Sequence, residues 1–263
     1  MTHISIQNVH KVFQTSGQEI PALRDIQLEI TAGEFVCLLG PSGCGKSTLL
    51  NTVAGFSMPT SGQVALDGQP VTGPGPDRGM VFQEYALFPW MTVAQNIAFG
   101  LQAKGMARAA IEAKVSKLLK TLRLSDFRDH FPKDLSGGMR QRIAIARVLA
   151  LDSPMMLMDE PFGALDALTR QSLQDELLRI WSESGKTILF VTHSIEESIY
   201  LADRIVVLSY RPGRVKRDVR VDLPRPHDPT SIEFNALKRE LTMLVMQEQH
   251  RHEAFELTGL FPG

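Results

Sequence analysis

Phe35-Val36-Cys37-Leu38-Leu39-Gly40-Pro41-Ser42-Gly43-Cys44-Gly45-Lys46-Ser47-Thr48-Leu49-Leu50 is the stretch that decides the fold. Residues 35–39 form an uninterrupted apolar run that stops at glycine, as a parallel strand buried on both faces does. Leu49, Leu50 and Val53 then open a helix that Gly55 closes. Between them, Gly40 to Ser47 fits G-x-x-x-x-G-K-[ST], in the strand-to-helix setting the motif requires. Its glycines let successive backbone N–H groups face one centre, where they and the helix N-terminus bind phosphate oxygens. Lys46 supplies a point charge for the β- and γ-phosphates, and Ser47 an oxygen for Mg2+.

Outward from this loop the chain alternates strands and helices. Upstream, Ile4, Ile6 and Val9, then Ile26, Leu28 and Ile30, show the near-alternation of half-buried strands, and Leu66-Asp67-Gly68 offers a tight turn. A buried strand is predicted at residues 79–82. From about 84 to 150 the pattern is helical. Ile111, Val115, Leu118, Leu119 and Leu122 form one apolar stripe, and a helix follows Ser136-Gly137-Gly138 directly. Strands return at 155–158, 187–191 and 204–208, with helices around Leu173–Trp181 and Ser198–Leu201. Beyond Arg211 the chain is Pro-rich to Pro229, and a weaker amphipathic helix follows through Phe234, Leu241 and Val245. The reading is a parallel α/β core interrupted by a helical insertion.

Composition narrows the classes. The 263 residues carry 28 Lys+Arg and 29 Asp+Glu, a formal net charge of −1, with no footprint for bulk nucleic-acid binding. Two cysteines exclude a disulfide-built scaffold and fit a reducing compartment. The long uncharged stretch 85–103 contains Pro89, Gln95, Asn96, Gly100 and Gln102, too polar for a lipid-facing helix. No secretory signal is expected at the N-terminus.

Met155–Met158 runs into Asp159-Glu160, an apolar strand ending in two carboxylates that point in different directions. Asp159 suits Mg2+, held through water, and Glu160 suits orienting and deprotonating an attacking water. A phosphate loop with these carboxylates implies nucleotide hydrolysis.

Leu135-Ser136-Gly137-Gly138-Met139 names the kind. Ser136 suits an N-cap, but two glycines in a first turn are destabilising unless backbone must approach something closely. The pentad resembles the signature motif of ABC-type ATPases, with Met139 where Gln is commoner. Other elements stand in that family's order: Phe13 where an aromatic stacks on adenine, Gln83 in the Q-loop, Ala164-Leu165-Asp166 in the D-loop, and His193 at the switch position. The resemblance covers about residues 3–215.

It implies a single ABC ATPase domain over 1–263, with a P-loop core at about 1–83 and 151–215. An N-terminal antiparallel β-subdomain, a helical subdomain at about 84–150 and a tail at about 216–263 complete it. It further implies that ATP lies between two copies, on Gly40–Thr48 of one and Ser136–Gly138 of the other. Asp166 also contacts it, Gln83 attends the Mg2+, and His193 holds the γ-phosphate and the water near Glu160. Asp166 is also read as an N-cap for the helix that follows it.

Within the family, residues 73–101, 161–170 and 211–215 resemble import ATPases of the nitrate, sulfonate and taurine type. Two separate permease subunits, an extracytoplasmic binding protein acting indirectly, and the cytoplasmic face of the membrane are then implied. Another importer class, for polyamines, iron or sugars, and a soluble ABC ATPase of repair or translation remain alternatives. Glu160 and His193 argue against a regulator that does not turn over. Tyr85, Leu87, Phe88, Trp90 and Met91 are read as a permease-docking face or, alternatively, as core of the helical subdomain. Cys44, beside Lys46, is expected to be a reactive thiol shielded by nucleotide, or else an inert filler; Cys37 is expected to be unreactive.

Overall fold

The computed structural model describes residues 3–15 and 17–258. Its contacts divide the chain into two compact units, residues 1–75 with 185–263, and residues 76–184. No described helix is long and apolar enough to cross a membrane.

The first unit opens with β1 (Ile4–Thr15) and β2 (Gln18–Ile30), an antiparallel hairpin whose other side pairs β1 with β4 (Ser61–Leu66). Ile4, Ile6, Val9, Ile26, Leu28 and Ile30 are buried, so the alternation read from sequence puts one face of this sheet in the core. Asp67 and Gly68, at φ 48° and 76°, make the tight turn from β4 to β5 (Gln69–Pro70).

The second sheet of this unit is built on β3 (Phe35–Leu39), every residue of which is fully buried. It runs parallel to β8 (Thr187–Thr192) on one side and β9 (Arg204–Leu208) on the other. A strand flanked on both sides and covered on both faces must be apolar throughout, which is why residues 35–39 show no alternation. Helix α1 (Lys46–Ala54) follows β3 and stops at Gly55 in the left-handed conformation. Helix α6 (Ile195–Leu201) packs against β3 and α7 (Ile232–Thr258). It begins three residues before Ser198, because Ser194 caps it by accepting from the Glu197 N–H. The stretch after Arg211 also holds an unexpected strand: β10 (Val215–Arg220) pairs antiparallel with β9. Its Lys and Arg residues, which obscure the pattern in sequence, suit a sheet edge.

In the second unit β6 (Arg78–Val81) lies parallel to β7 (Met155–Asp159). Helices α2 (Val93–Ala103), α3 (Arg108–Thr121) and α4 (Gly137–Ala150) pack on one another, and α4 reaches α5 (Ala167–Ser184). The α3 stripe buries Val115 and Leu119, with Leu122 just beyond its end.

Candidate active site

Parallel strands deliver their following loops to one edge of a sheet, where α/β proteins bind ligands. In the first unit Leu39 pairs with Thr192, so the loop at Gly40 and the turn at His193 leave neighbouring strands side by side. In the second, Val81 pairs with Met158, so the chain entering Gln83 and the pair Asp159-Glu160 likewise emerge together.

The loop Gly40–Gly45 is held by close backbone approaches that tolerate no side chain. Gly45 has φ 99°, and a Cβ there would lie 2.8 Å from Leu23 Cδ2 and 2.9 Å from the Ala22 carbonyl. A Cβ on Gly213 would come within 2.2 Å of the Cys44 carbonyl oxygen. Arg211 Nε donates to the Gly43 carbonyl at 3.0 Å. Thus β2 and the β9–β10 turn brace the loop, which presents Ser42, Gly43 and Ser47 outward. Pro41 accepts from the Cys44 N–H. Lys46 is folded back and buried, its Nζ donating to the carbonyls of Gly40 at 2.8 Å and Pro41 at 3.0 Å. Thr48 lies in the first turn of α1 and accepts from the Thr52 hydroxyl.

Cys44 departs from expectation. Its thiol is fully buried, with Sγ 3.8 Å from Lys46 Nζ. Burial pushes its pKa up, and this outweighs the lowering by the Lys46 ammonium and its hydrogen bonds. Converging N–H groups activate a thiolate only where water or a ligand reaches the sulfur, and here neither does. Cys37, buried in β3, is likewise pushed up by burial.

His193 is exposed at the end of β8. The turn beneath it is braced by a buried carboxylate that sequence reading passed over: Glu197 accepts from the Thr192 hydroxyl, whose oxygen in turn accepts from the Ser194 N–H at 2.9 Å. Phe13 lies across from Ile20 on the β1–β2 hairpin, 41% exposed, with the Lys11 ammonium 5.1 Å from its ring centroid.

In the second unit Glu160 has φ 42°, a left-handed conformation that costs a non-glycine residue about 1–3 kcal/mol. The chain therefore turns sharply at the end of β7 and separates the directions of Asp159 and Glu160. Ser136 caps α4 by accepting from the Met139 N–H at 3.3 Å. The glycine pair has reasons inside the unit itself. A Cβ on Gly138 would sit 2.5 Å from Thr169 Cγ2 of α5, and one on Gly137 would sit 3.2 Å from the Tyr85 hydroxyl. Asp166 accepts from the Thr169 N–H at 3.0 Å, capping α5, and that bond holds its carboxyl below the usual range.

The segment after Gln83 is built with strain. Tyr85 and Ala86 both have positive φ, 62° and 48°. Arg147 Nη1 donates to the Ala86 carbonyl at 2.6 Å and its guanidinium lies 4.9 Å from the Phe88 ring centroid. Asn96, fully buried, accepts from the Phe88 N–H and donates to the carbonyls of Phe88, Met91 and Thr92. Trp90 is 71% exposed and is not core; Tyr85, Leu87, Phe88 and Met91 are half-buried.

The sequence family of the ABC transporter matches residues 23–163. An uncharacterized ABC transporter ATP-binding protein of Methanocaldococcus jannaschii is 50% identical over 93% of this chain and 92% of its own length. The chain belongs to the ABC transporter family. It is an ABC transporter ATPase, and it shares 50% identity with a taurine import ATP-binding protein of Roseobacter denitrificans, over 84% of this chain and 83% of that one. A nitrate import ATP-binding protein of Synechocystis is 46% identical over 90% of each chain. Among solved structures, a dimeric ATP-binding cassette in a post-hydrolysis state with ADP and Pi matches with a TM-score of 0.74 at 34% identity. That match covers 83% of this chain and 98% of the other.

Proposed function

We propose that this ABC transporter ATPase is the energy-coupling subunit of an importer for a small anion or organosulfur solute of the taurine, sulfonate or nitrate type. Its relatives named for taurine and nitrate import support the solute class. In this reading residues 1–263 form one ABC ATPase domain, with a core at about 1–83 and 151–215, helices at about 84–150 and a tail beyond. It works at the cytoplasmic face of the membrane with two permease subunits, and indirectly with an extracytoplasmic binding protein.

The observation that carries the catalytic reading is the braced loop at the end of β3, beside His193 at the end of the adjacent strand. Gly40, Pro41, Ser42, Gly43, Cys44 and Gly45 turn backbone toward the phosphates, and Ser47 and Thr48 open the helix whose positive end faces them. Lys46 exchanges its two carbonyl acceptors for phosphate oxygens. Phe13 stacks on the adenine, and His193 holds the γ-phosphate and the attacking water. Glu160 takes the proton of that water. Ser136, Gly137, Gly138 and Asp166 of a second copy complete the site.

Ser47, Gln83 and Asp159 offer hydroxyl, amide and carboxylate oxygens, the hard donors that Mg2+ takes. In this reading these three residues would hold Mg2+, and the ion would supply charge neutralisation to the phosphates.

The test is Glu160→Gln. We expect ATP hydrolysis to fall by at least about 100-fold with ATP affinity within a few-fold of the unmodified protein, because only proton transfer is removed. Hydrolysis that survives the substitution overturns the role of Glu160.

A further inference from the structure

Behind the phosphate loop the first unit has an open cavity of about 610 Å3 between β2, the β9–β10 turn and α7. Five cationic side chains line it, Arg24, Arg211, Arg214, Lys216 and Arg251, against one carboxylate, Glu248. Glu248 is fully buried and heavily used. It accepts from the Tyr210 N–H at 2.8 Å and pairs with Lys216 at 2.6 Å and Arg251 at 3.3 Å. Among the described residues neither Arg24 nor Arg214 pairs with a carboxylate. One carboxylate cannot neutralise five cations, and like charges gathered round a concave surface focus a positive potential there.

Arg211 gives the cavity a connection to the catalytic loop, since its Nε donates to the Gly43 carbonyl while its side chain lines the cavity wall. We propose that this cavity is a second anion site, taking a multivalent inorganic oxyanion such as pyrophosphate. An anion held by Arg24 and Arg214 competes with the Gly43 carbonyl for Arg211 and so loosens the loop. Coupling of this kind is reciprocal: an anion that weakens nucleotide binding is itself bound less tightly when nucleotide is present.

The inference rests on the nucleotide reading of the loop, and the test separates the two. The dissociation constant for ADP is measured on the full chain against rising pyrophosphate, with sulfate as a second arm and sodium chloride at matched ionic strength as control. We expect the constant to rise about fivefold and then level off, with chloride inert. The double variant Arg24→Ala/Arg214→Ala should bind ADP normally and lose the rise. A rise that never levels off, or one that survives in the double variant, means competition at the phosphate loop and overturns the site. ADP binding indifferent to pyrophosphate also overturns it. Sulfate reproducing the plateau assigns the site to oxyanions in general, and pyrophosphate alone assigns it to linked phosphates. Failure of the unmodified chain to bind ADP at all would instead sink the nucleotide reading.

Discussion

Cys44 shows how one residue's chemistry is decided by which way its side chain points. Loop position and a neighbouring lysine suggest activation, yet the sulfur is sealed beneath the loop and burial pushes its pKa up. We therefore expect Cys44 to resist a thiol reagent such as maleimide at pH 7 as firmly as Cys37, with Mg-ATP making no difference. Labelling followed by mass spectrometry checks this, and rapid modification of Cys44 would show that the loop opens. The same distinction separates what was legible from what was not. The unbroken apolar run Phe35–Leu39 and the glycine spacing that follows it are local patterns, and they specify strand, loop and helix without any distant contact. The inward turn of Cys44, the return of Lys46 onto Gly40 and Pro41, and the Arg211 bond to Gly43 depend on residues far apart in sequence, and no local pattern announces them.

At the scale of elements, the segment between Gln83 and α2 holds two left-handed residues, and Asn96 is what keeps it in shape. An asparagine in an otherwise apolar helix face carries no sequence signal for this work, which is why it was passed over. Asn96→Ala removes the side-chain partner of the Phe88 N–H and of the Met91 carbonyl, while the Phe88 and Thr92 carbonyls keep the N–H groups of Met91 and residue 96. At about 1–3 kcal/mol per unsatisfied group it should cost about 2–4 kcal/mol of stability. Trp90→Ala, at an exposed site, should cost less than about 1 kcal/mol. Thermal melts compare the two variants. If Trp90 anchors a permease helix, its removal should abolish co-purification with the permease while ATP binding persists, because exposed aromatics of this kind dominate interface energetics. A Trp90→Ala protein that melts as early as Asn96→Ala would return the tryptophan to the core. The missed strand β10 belongs at this scale too: its charged residues hide an edge strand whose pairing with β9 only the sheet reveals.

At the scale of the whole molecule, stability should depend on pH through His227. It is buried, with Nδ1 2.6 Å from the Ile199 carbonyl. Burial lowers its pKa below the free value, nearby Arg225 lowers it further, and the Ile199 bond and Asp203 oppose them. Because the folded chain disfavours the imidazolium, the unfolded chain takes up the proton first. The stabilisation is complete above about pH 6.5 and is lost as pH falls from there toward the folded value. Chemical denaturation at a series of pH values should show a steeper acid slope for the unmodified protein than for His227→Gln.

Assembly is the last consequence of the site at this scale. In the proposed site one copy supplies the phosphate loop and the other the helix start at Ser136, and a solved relative of 34% identity is a dimer holding ADP and Pi. If Ser136–Gly138 of one copy closes over nucleotide on the other, ATP binding supplies contacts between copies that hydrolysis removes. Mass action then makes the dimer's lifetime track the lifetime of ATP. Glu160→Gln should elute as a dimer on gel filtration with Mg-ATP and as a monomer with Mg-ADP, whereas the unmodified protein should stay mainly monomeric in both. Ser136→Arg in the Glu160→Gln background should abolish the dimer and leave ATP binding to the single copy intact, because the bulky cation stands at the signature and not on the phosphate loop. A Glu160→Gln protein that binds ATP yet remains monomeric, even with its permease present, would remove the shared-site arrangement.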